Sequence, residues 1–284
     1  MKLATYRDGS RDGQLVVVSR DLALAHYASG IASRLQQVLD DWNFLAPQLE
    51  DLSATLNGGK ARHAFAFDPA RCAAPLPRSF QWALAPGTAG GPAPQRASDD
   101  LLGPGDDIVL PGPDAPARLQ AGFAVVTGDL PRGAARAQAL ECVRLVLLAH
   151  VWSLPGGAQP AGALAPLAVT PDELGAAWRG GRVHLAVRTL RQAGASEHAE
   201  PGQGCPDFGD VLAALAQVRG VRAGSIIGPH AEAGPAEDGS GPPGAPAGAA
   251  GWHDGELAHS EVTGPDGLSV FGAIAQRIVR AGSA

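Results

Sequence analysis

The sequence predicts an α+β fold in which sheets, rather than helices, form the main core. Three observations point there. Short β-prone runs recur along the chain, each punctuated by Gly turns. Helical spacing of apolar residues is confined to a few short windows. Gly and Pro together make up about a fifth of the 284 residues, below the level expected of an aperiodic disordered chain, while 45% of residues are hydrophobic. A chain of this length and apolarity buries one large core or two unequal ones.

The elements follow in order. Leu3–Tyr6 and Leu15–Val18, joined through Asp8-Gly9 and Asp12-Gly13, read as an N-terminal hairpin. Ile31, Leu35, Val38 and Leu39 predict one helix, and Leu49, Leu52 and Leu56 predict a second that stops at Asn57-Gly58-Gly59. The extended, Pro-rich stretch Cys72–Pro77 marks a boundary between a small N-terminal module, residues 1–74, and a main domain, residues 75–284. Within the latter, strands are expected at Ile108–Leu110, Phe123–Thr127 and Leu145–Val151, with a helix over Ala134–Cys142 between the last two. Thr170-Pro171-Asp172-Glu173 has the form of a capping box, with Thr170 as cap, Pro171 at the first helical position and Glu173 reaching back. Alternation across Val183–Arg188 predicts one half-buried strand, Phe208–Val218 a helix, and Leu268–Ile274 a last strand entered through Gly264-Pro265-Asp266-Gly267. Residues 233–251 form a low-complexity Gly/Pro/Ala loop.

Charge and cysteine content exclude several function classes. With 28 acidic against 22 basic residues, a net charge of −6 and no basic cluster, nucleic-acid binding is not expected. Cys72, Cys142 and Cys205 are widely spaced and odd in number, which suits a reducing compartment. The start lacks a signal-peptide apolar region, and the most apolar stretch, Val143–Leu154, is too short to span a bilayer and carries Arg144 and His150. A cytoplasmic protein without membrane association is therefore the expectation.

Ligand-type residues occur without a standard spacing. His198, Glu200, Cys205 and Asp207 fit no zinc pattern, and His230-Ala-Glu232 with His253, Asp254 and His259 flanks the low-complexity loop. Asp99, Asp100, Asp106 and Asp107 are oxygen donors of the kind a hard cation takes, but in a turn-rich segment they read first as solvated carboxylates. Ser153 and Ser225 lack a nucleophile elbow, and Gly103-Pro-Gly105 is not a dinucleotide fingerprint. His150, inside an apolar strand, reads as a core histidine.

Several blocks together nevertheless resemble the fumarylacetoacetate hydrolase-like proteins. These are MKLATYRDGSRDGQLVVVSRD, KARHAFAFDPARCAAPLPRSFQW, SDDLLGPGDDIVLPG, VTPDELGAAWRGGRVHL, VRAGSII and LSVFGAIAQRIV, in the family's order along nearly the whole chain. The resemblance implies a mixed β-roll or sandwich with a small α+β N-terminal module, usually dimerised. It also implies a divalent cation, Mg²⁺ or Mn²⁺, held by a Glu-X-Glu pair and an Asp, which polarises a 1,3-dicarbonyl or 2-oxoacid for cleavage, decarboxylation or hydration.

Placed residue by residue, those motifs are degenerate here. The two glutamates correspond to Gln120 and Gly122, the metal-binding Asp to Val151, the Lys before a Pro to Gln159, and the Thr of a late Gly-Thr turn to Ala231. Ala83–Ala97, where a His is expected, has none. The resemblance thus implies a pseudoenzyme, a binding or structural subunit paired with itself or with an active paralogue, and no cofactor. Two alternatives stay open. One is an active hydrolase or lyase with a relocated or metal-independent site built from His150, His230 and the Asp99–Asp107 carboxylates, with Mg²⁺ or Mn²⁺ if a metal is retained. The other is a decayed product with no selected chemistry.

Overall fold

The computed structural model describes residues 1–91, 93–112, 117–154, 159–191, 196–230 and 252–281. The hairpin forms as expected: β1 (Lys2–Tyr6) pairs antiparallel with β2 (Gln14–Val18) over five residue pairs. Asp8 sets the turn by accepting from the Ser10 N–H at 2.9 Å and its hydroxyl at 2.6 Å. Gly13 closes it at φ +59, where a Cβ would lie 2.5 Å from the Tyr6 carbonyl oxygen. Both strand faces are buried. Tyr6, Val16 and Val18 join one apolar cluster, and Leu3, Leu15 and Val17 join a second beneath the helices.

Those helices are α1 (Leu35–Asp40) and α2 (Trp42–Asn57), whose inner faces are Leu35, Val38 and Leu39, then Leu49 and Leu56. The Gln37 side chain accepts from the N–H groups of Ser33 and Arg34 and so satisfies the first turn of α1.

The remaining strands complete two mixed sheets. The larger, eleven-stranded sheet runs in the order β4 (Phe65–Ala66), β3 (Leu24–Tyr27), β2, β1, β11 (Ala168–Val169), β9 (Val143–Ser153), β8 (Arg118–Thr127), β16 (Ile226–His230), β5 (Trp82–Ala85) and β6 (Gln95–Arg96), with β10 (Ala163–Leu164) alongside β9. The sheet is therefore continuous from the N-terminal hairpin into the rest of the chain, through Lys2 opposite Val169 and Leu3 opposite Ala168. A second, five-stranded sheet runs β15 (Ser196–Ala199), β14 (Val187–Arg191), β17 (Leu257–Glu261), β18 (Ile274–Ala281) and β7 (Ile108–Pro111). Few helices accompany them. α3 (Arg136–Glu141) and α4 (Phe208–Val218) pack on each other, and α4 begins where Asp207 accepts from the Asp210 N–H at 3.0 Å. No helix among the described residues is long and apolar enough to cross a membrane.

Three local expectations are corrected. Thr170 does not cap a helix: its hydroxyl meets the Met1 amino nitrogen at 2.6 Å, and Glu173 pairs with that nitrogen at 3.2 Å and with Arg20 at 3.0 Å. The capping residues are thus used across the sheet, and the segment Pro171–Ala177 is a 3-10 helix broken at Gly175. The run Val183–Arg188 is not one strand. β12 (Trp178–Arg179) and β13 (Arg182–Val183) form a tight hairpin over Gly180 and Gly181, both at positive φ, and the chain leaves at His184 to enter β14. The last strand starts at Ile274 and not at Leu268, because Gly272 turns the chain at φ +72 and a Cβ there would lie 2.4 Å from Pro166. The low-complexity stretch 233–251 falls outside the described residues.

His150 is the core histidine that the sequence suggests. It is fully buried, and its Nδ1 donates to Gln276 Oε1 at 3.0 Å, an oxygen that also accepts from the Trp152 indole at 3.1 Å. Its Nε2 is buried without a partner among the described residues. Burial holds the imidazole neutral, with its pKa pushed down to about 4 from an ordinary 6.5. The unfolded chain therefore takes up the proton first, and stability is lost as pH falls from 6.5 towards 4, by an amount on the order of 3 kcal/mol. Urea unfolding across that pH range is expected to show the loss, and His150→Gln to reduce its slope. An unchanged slope in the variant contradicts a neutral buried His150.

Candidate functional site

The antiparallel ladder of β8 and β9 brings the aligned positions together. Gln120 lies directly opposite Val151, and Gly122 is two residues along β8, so all three share one face of the sheet. Register extends that face. Val126 pairs with Ile226, Ile226 with Trp82, and Trp82 with Arg96. Gln120, Gly122, Val151, Trp82 and Arg96 therefore point to the same side, a spatial set that no single sequence motif contains.

Each of these residues is already committed. The Gln120 amide nitrogen donates to the His230 carbonyl oxygen. At Gly122 a Cβ would lie 2.8 Å from the Pro229 Cβ, so the space of a side chain is taken. Val151 is 3% exposed within the apolar cluster that also holds Trp82, Ala124 and Val126. The Trp82 indole is fully buried and donates to the Gly228 carbonyl oxygen, and its ring lies 2.4 Å from where a Cβ of Gly162 would be.

Arg96 was not legible as a site residue in the sequence, where it sits in Ala83–Ala97, the Gly- and Pro-rich stretch that lacks the expected His. It is 8% exposed, and Nη2 donates to the carbonyl oxygens of Trp152 at 3.1 Å and Pro160 at 2.9 Å. These neighbours directly follow Val151 and Gln159, two of the aligned positions. The guanidinium carbon lies 5.9 Å from the Trp82 ring centroid, and Nε has no partner among the described residues. Burial lowers its pKa to about 10, so it remains charged at neutral pH. Gln159 itself is exposed, and Ala231 falls outside the described residues.

This donor set does not fit a hard dication. Mg²⁺ and Mn²⁺ take oxygen ligands and are held by anionic charge. Here one amide is turned to a backbone carbonyl, two side chains offer no oxygen, and the charge brought to the same face is positive. Among the described residues no group of three or more His, Cys, Asp or Glu converges.

The other candidates disperse. Asp106 pairs with Arg7 at 2.7 Å and accepts from the Gly103 N–H, while Asp99, Asp100 and Asp107 are exposed. Asp207 caps α4 and pairs with Arg136 at 2.7 Å, His198 is exposed, and Cys205 is half-buried, its thiol raised in pKa by burial. His253 is exposed, Asp254 accepts from the Arg280 N–H, and Glu232 lies outside the described residues. His150 is sealed between the sheets on Gln276. Of the proposed replacement groups, Asp99 borders a cavity of about 380 Å³ with Asp12, Arg34 and Arg78, and His230 lines one of about 330 Å³ bordered by Phe123, Arg182, Glu200, Gly202 and Phe208. Burial lowers the pKa of His230.

The continuous mixed sheet, its N-terminal hairpin with two helices and the β8–β9 face define a fold of the fumarylacetoacetate hydrolase type. Residues 1–78 match the family model described as fumarylacetoacetase N-terminal domain 2, so the chain is fumarylacetoacetate hydrolase-like in its N-terminal module and in its fold. Maleylpyruvate hydrolase from Sphingobium sp. SYK-6 superposes with a TM-score of 0.72 at 17% identity, covering 99% of this chain and 100% of that one. The same enzyme has been solved in complex with manganese(II) and pyruvate. The 2-hydroxyhepta-2,4-diene-1,7-dioate isomerase from Mycobacterium marinum superposes with a TM-score of 0.65 at 16% identity, covering 100% of both chains. No curated protein matches the sequence.

Occupation of the face gives a direct stability test. Gly122→Ala is expected to destabilise the protein by about 1–3 kcal/mol through overpacking against Pro229, whereas Gly105→Ala, which meets nothing within 4 Å, leaves the urea midpoint nearly unchanged. Equal midpoints for the two variants contradict a filled face.

Proposed function

We propose that this chain is a metal-free form of the fumarylacetoacetate hydrolase fold, a binding or structural subunit in which metal-dependent C–C bond chemistry has been lost. The reading is carried by one observation: the face that aligns with the family's three carboxylates holds Gln120, Gly122 and Val151, packed beside the Trp82 indole and the Arg96 guanidinium. Metal-assisted chemistry in this fold requires a cation to stabilise developing enolate charge. A neutral amide, a glycine and a valine supply no negative charge to retain it, and a buried guanidinium opposes its entry.

The coherent apolar clusters on both faces of the sheet support a folded, retained scaffold over a decayed one. Such a scaffold serves as a partner subunit, paired with a second copy or with an active paralogue.

Calorimetric titration of the chelator-stripped protein with Mn²⁺, then Mg²⁺, tests the reading. Only heat of dilution is expected at neutral pH. Stoichiometric binding of either ion overturns it and returns the chain to the metal-dependent class.

A further inference from the structure

The cavity bordered by His230 has a chemistry of its own. At about 330 Å³ it is at the small end of ligand pockets. His230 is 7% exposed, and Nε2 lies 2.7 Å from the Pro206 carbonyl oxygen. A carbonyl only accepts, so Nε2 carries the hydrogen and Nδ1 presents a lone pair. That lone pair meets no donor among the described residues. Gly202 keeps its surroundings open, since a Cβ there would lie 2.8 Å from Nδ1.

Aromatic walls and a cation complete the lining. Phe208 holds the imidazole at 5.1 Å between ring centroids, and Phe123 forms another wall. Arg182 is fixed by the carbonyl oxygens of Gly202, at 2.8 Å, and Cys205, and it forms no ion pair with a carboxylate among the described residues. The nearby Asp207 carboxylate is taken by Arg136, and Glu200 lies exposed at the edge.

We propose that this cavity binds a small hydroxyaromatic acid, its ring against Phe123 and Phe208, its hydroxyl donating to His230 Nδ1 and its carboxylate drawn to Arg182. A neutral imidazole whose donor is spent on Pro206 selects a ligand that brings its own hydrogen. The uncompensated guanidinium selects an anionic substituent, and the rings select a flat body.

The test uses the full chain with ¹⁵N-labelled histidine, titrated with 3-hydroxybenzoate and, separately, with benzoate. The Nδ1 resonance of His230 is expected to move with 3-hydroxybenzoate and not with benzoate. His230→Gln keeps a donor for Pro206 but has no acceptor at the δ position, and is expected to weaken 3-hydroxybenzoate by about tenfold. His230→Asn restores a δ oxygen and is expected to stay within about threefold of the parent. Thermal unfolding of both variants verifies that they are folded. Equal affinity for the two acids, an unmoved Nδ1 resonance, or undiminished binding by a folded His230→Gln variant each overturns the proposal. The outcome is separable from the metal reading, because the two titrations use different probes and readouts: the heat of ion binding for the metal reading, the His230 Nδ1 resonance on adding an organic acid for this one.

Discussion

The antiparallel ladder between β8 and β9, ten residue pairs long, is the constraint on which the rest of the molecule depends. Its alternation sends Phe123, Val125, Val146 and Leu148 into one apolar cluster and Ala124, Val126, Leu145, Leu147 and Val151 into the other. Further along β9, Trp152 faces the second sheet and packs with Ile108, Ala258 and Ile278. A one-residue slip would send every one of these side chains to the opposite face. That register is also what sets Gln120 against Val151.

The same constraint bears on the proposed metal-free reading of the face where Gln120, Gly122 and Val151 meet. Three carboxylates brought together with no cation repel one another and lose hydration, so a carboxylate face depends on its ion. On the proposed reading, a committed amide, a glycine closed by Pro229 and a buried valine carry no such dependence. Trp82 and Arg96 then occupy the layer through strand pairings at the far edge of the sheet. Scaffold and site are therefore separable, and a fold shared with hydrolases and an isomerase is compatible with a different role.

Much of the scaffold was legible because its signals are local. Phe208, Val211, Leu212 and Ala216 recur at helical spacing, and α4 covers Phe208–Val218 as expected. The β1–β2 hairpin follows from its β-branched run and Gly turn. Where the local signal misled, a distant partner had claimed the residue. Thr170 and Glu173 have capping chemistry, but the Met1 nitrogen engages both. At the site, the sequence placed Gln120, Gly122 and Val151 by resemblance, and the ladder brings them to one face. Arg96 was invisible because β6 is two residues long, too short for periodicity, and its partners Trp152 and Pro160 are more than fifty residues away. The His230 cavity was equally hidden, since the acceptor role of Nδ1 depends on the Pro206 carbonyl taking the other nitrogen.

The most direct measurement is an anomalous-difference map from crystals of the protein soaked in MnCl₂. The expected result is no manganese peak between Gln120 and Val151, with the Trp82 indole in place over Gly162 and its N–H on the Gly228 carbonyl oxygen. A manganese peak bound at Gln120, with the indole displaced and Arg96 moved away from Trp152 and Pro160, would contradict the account.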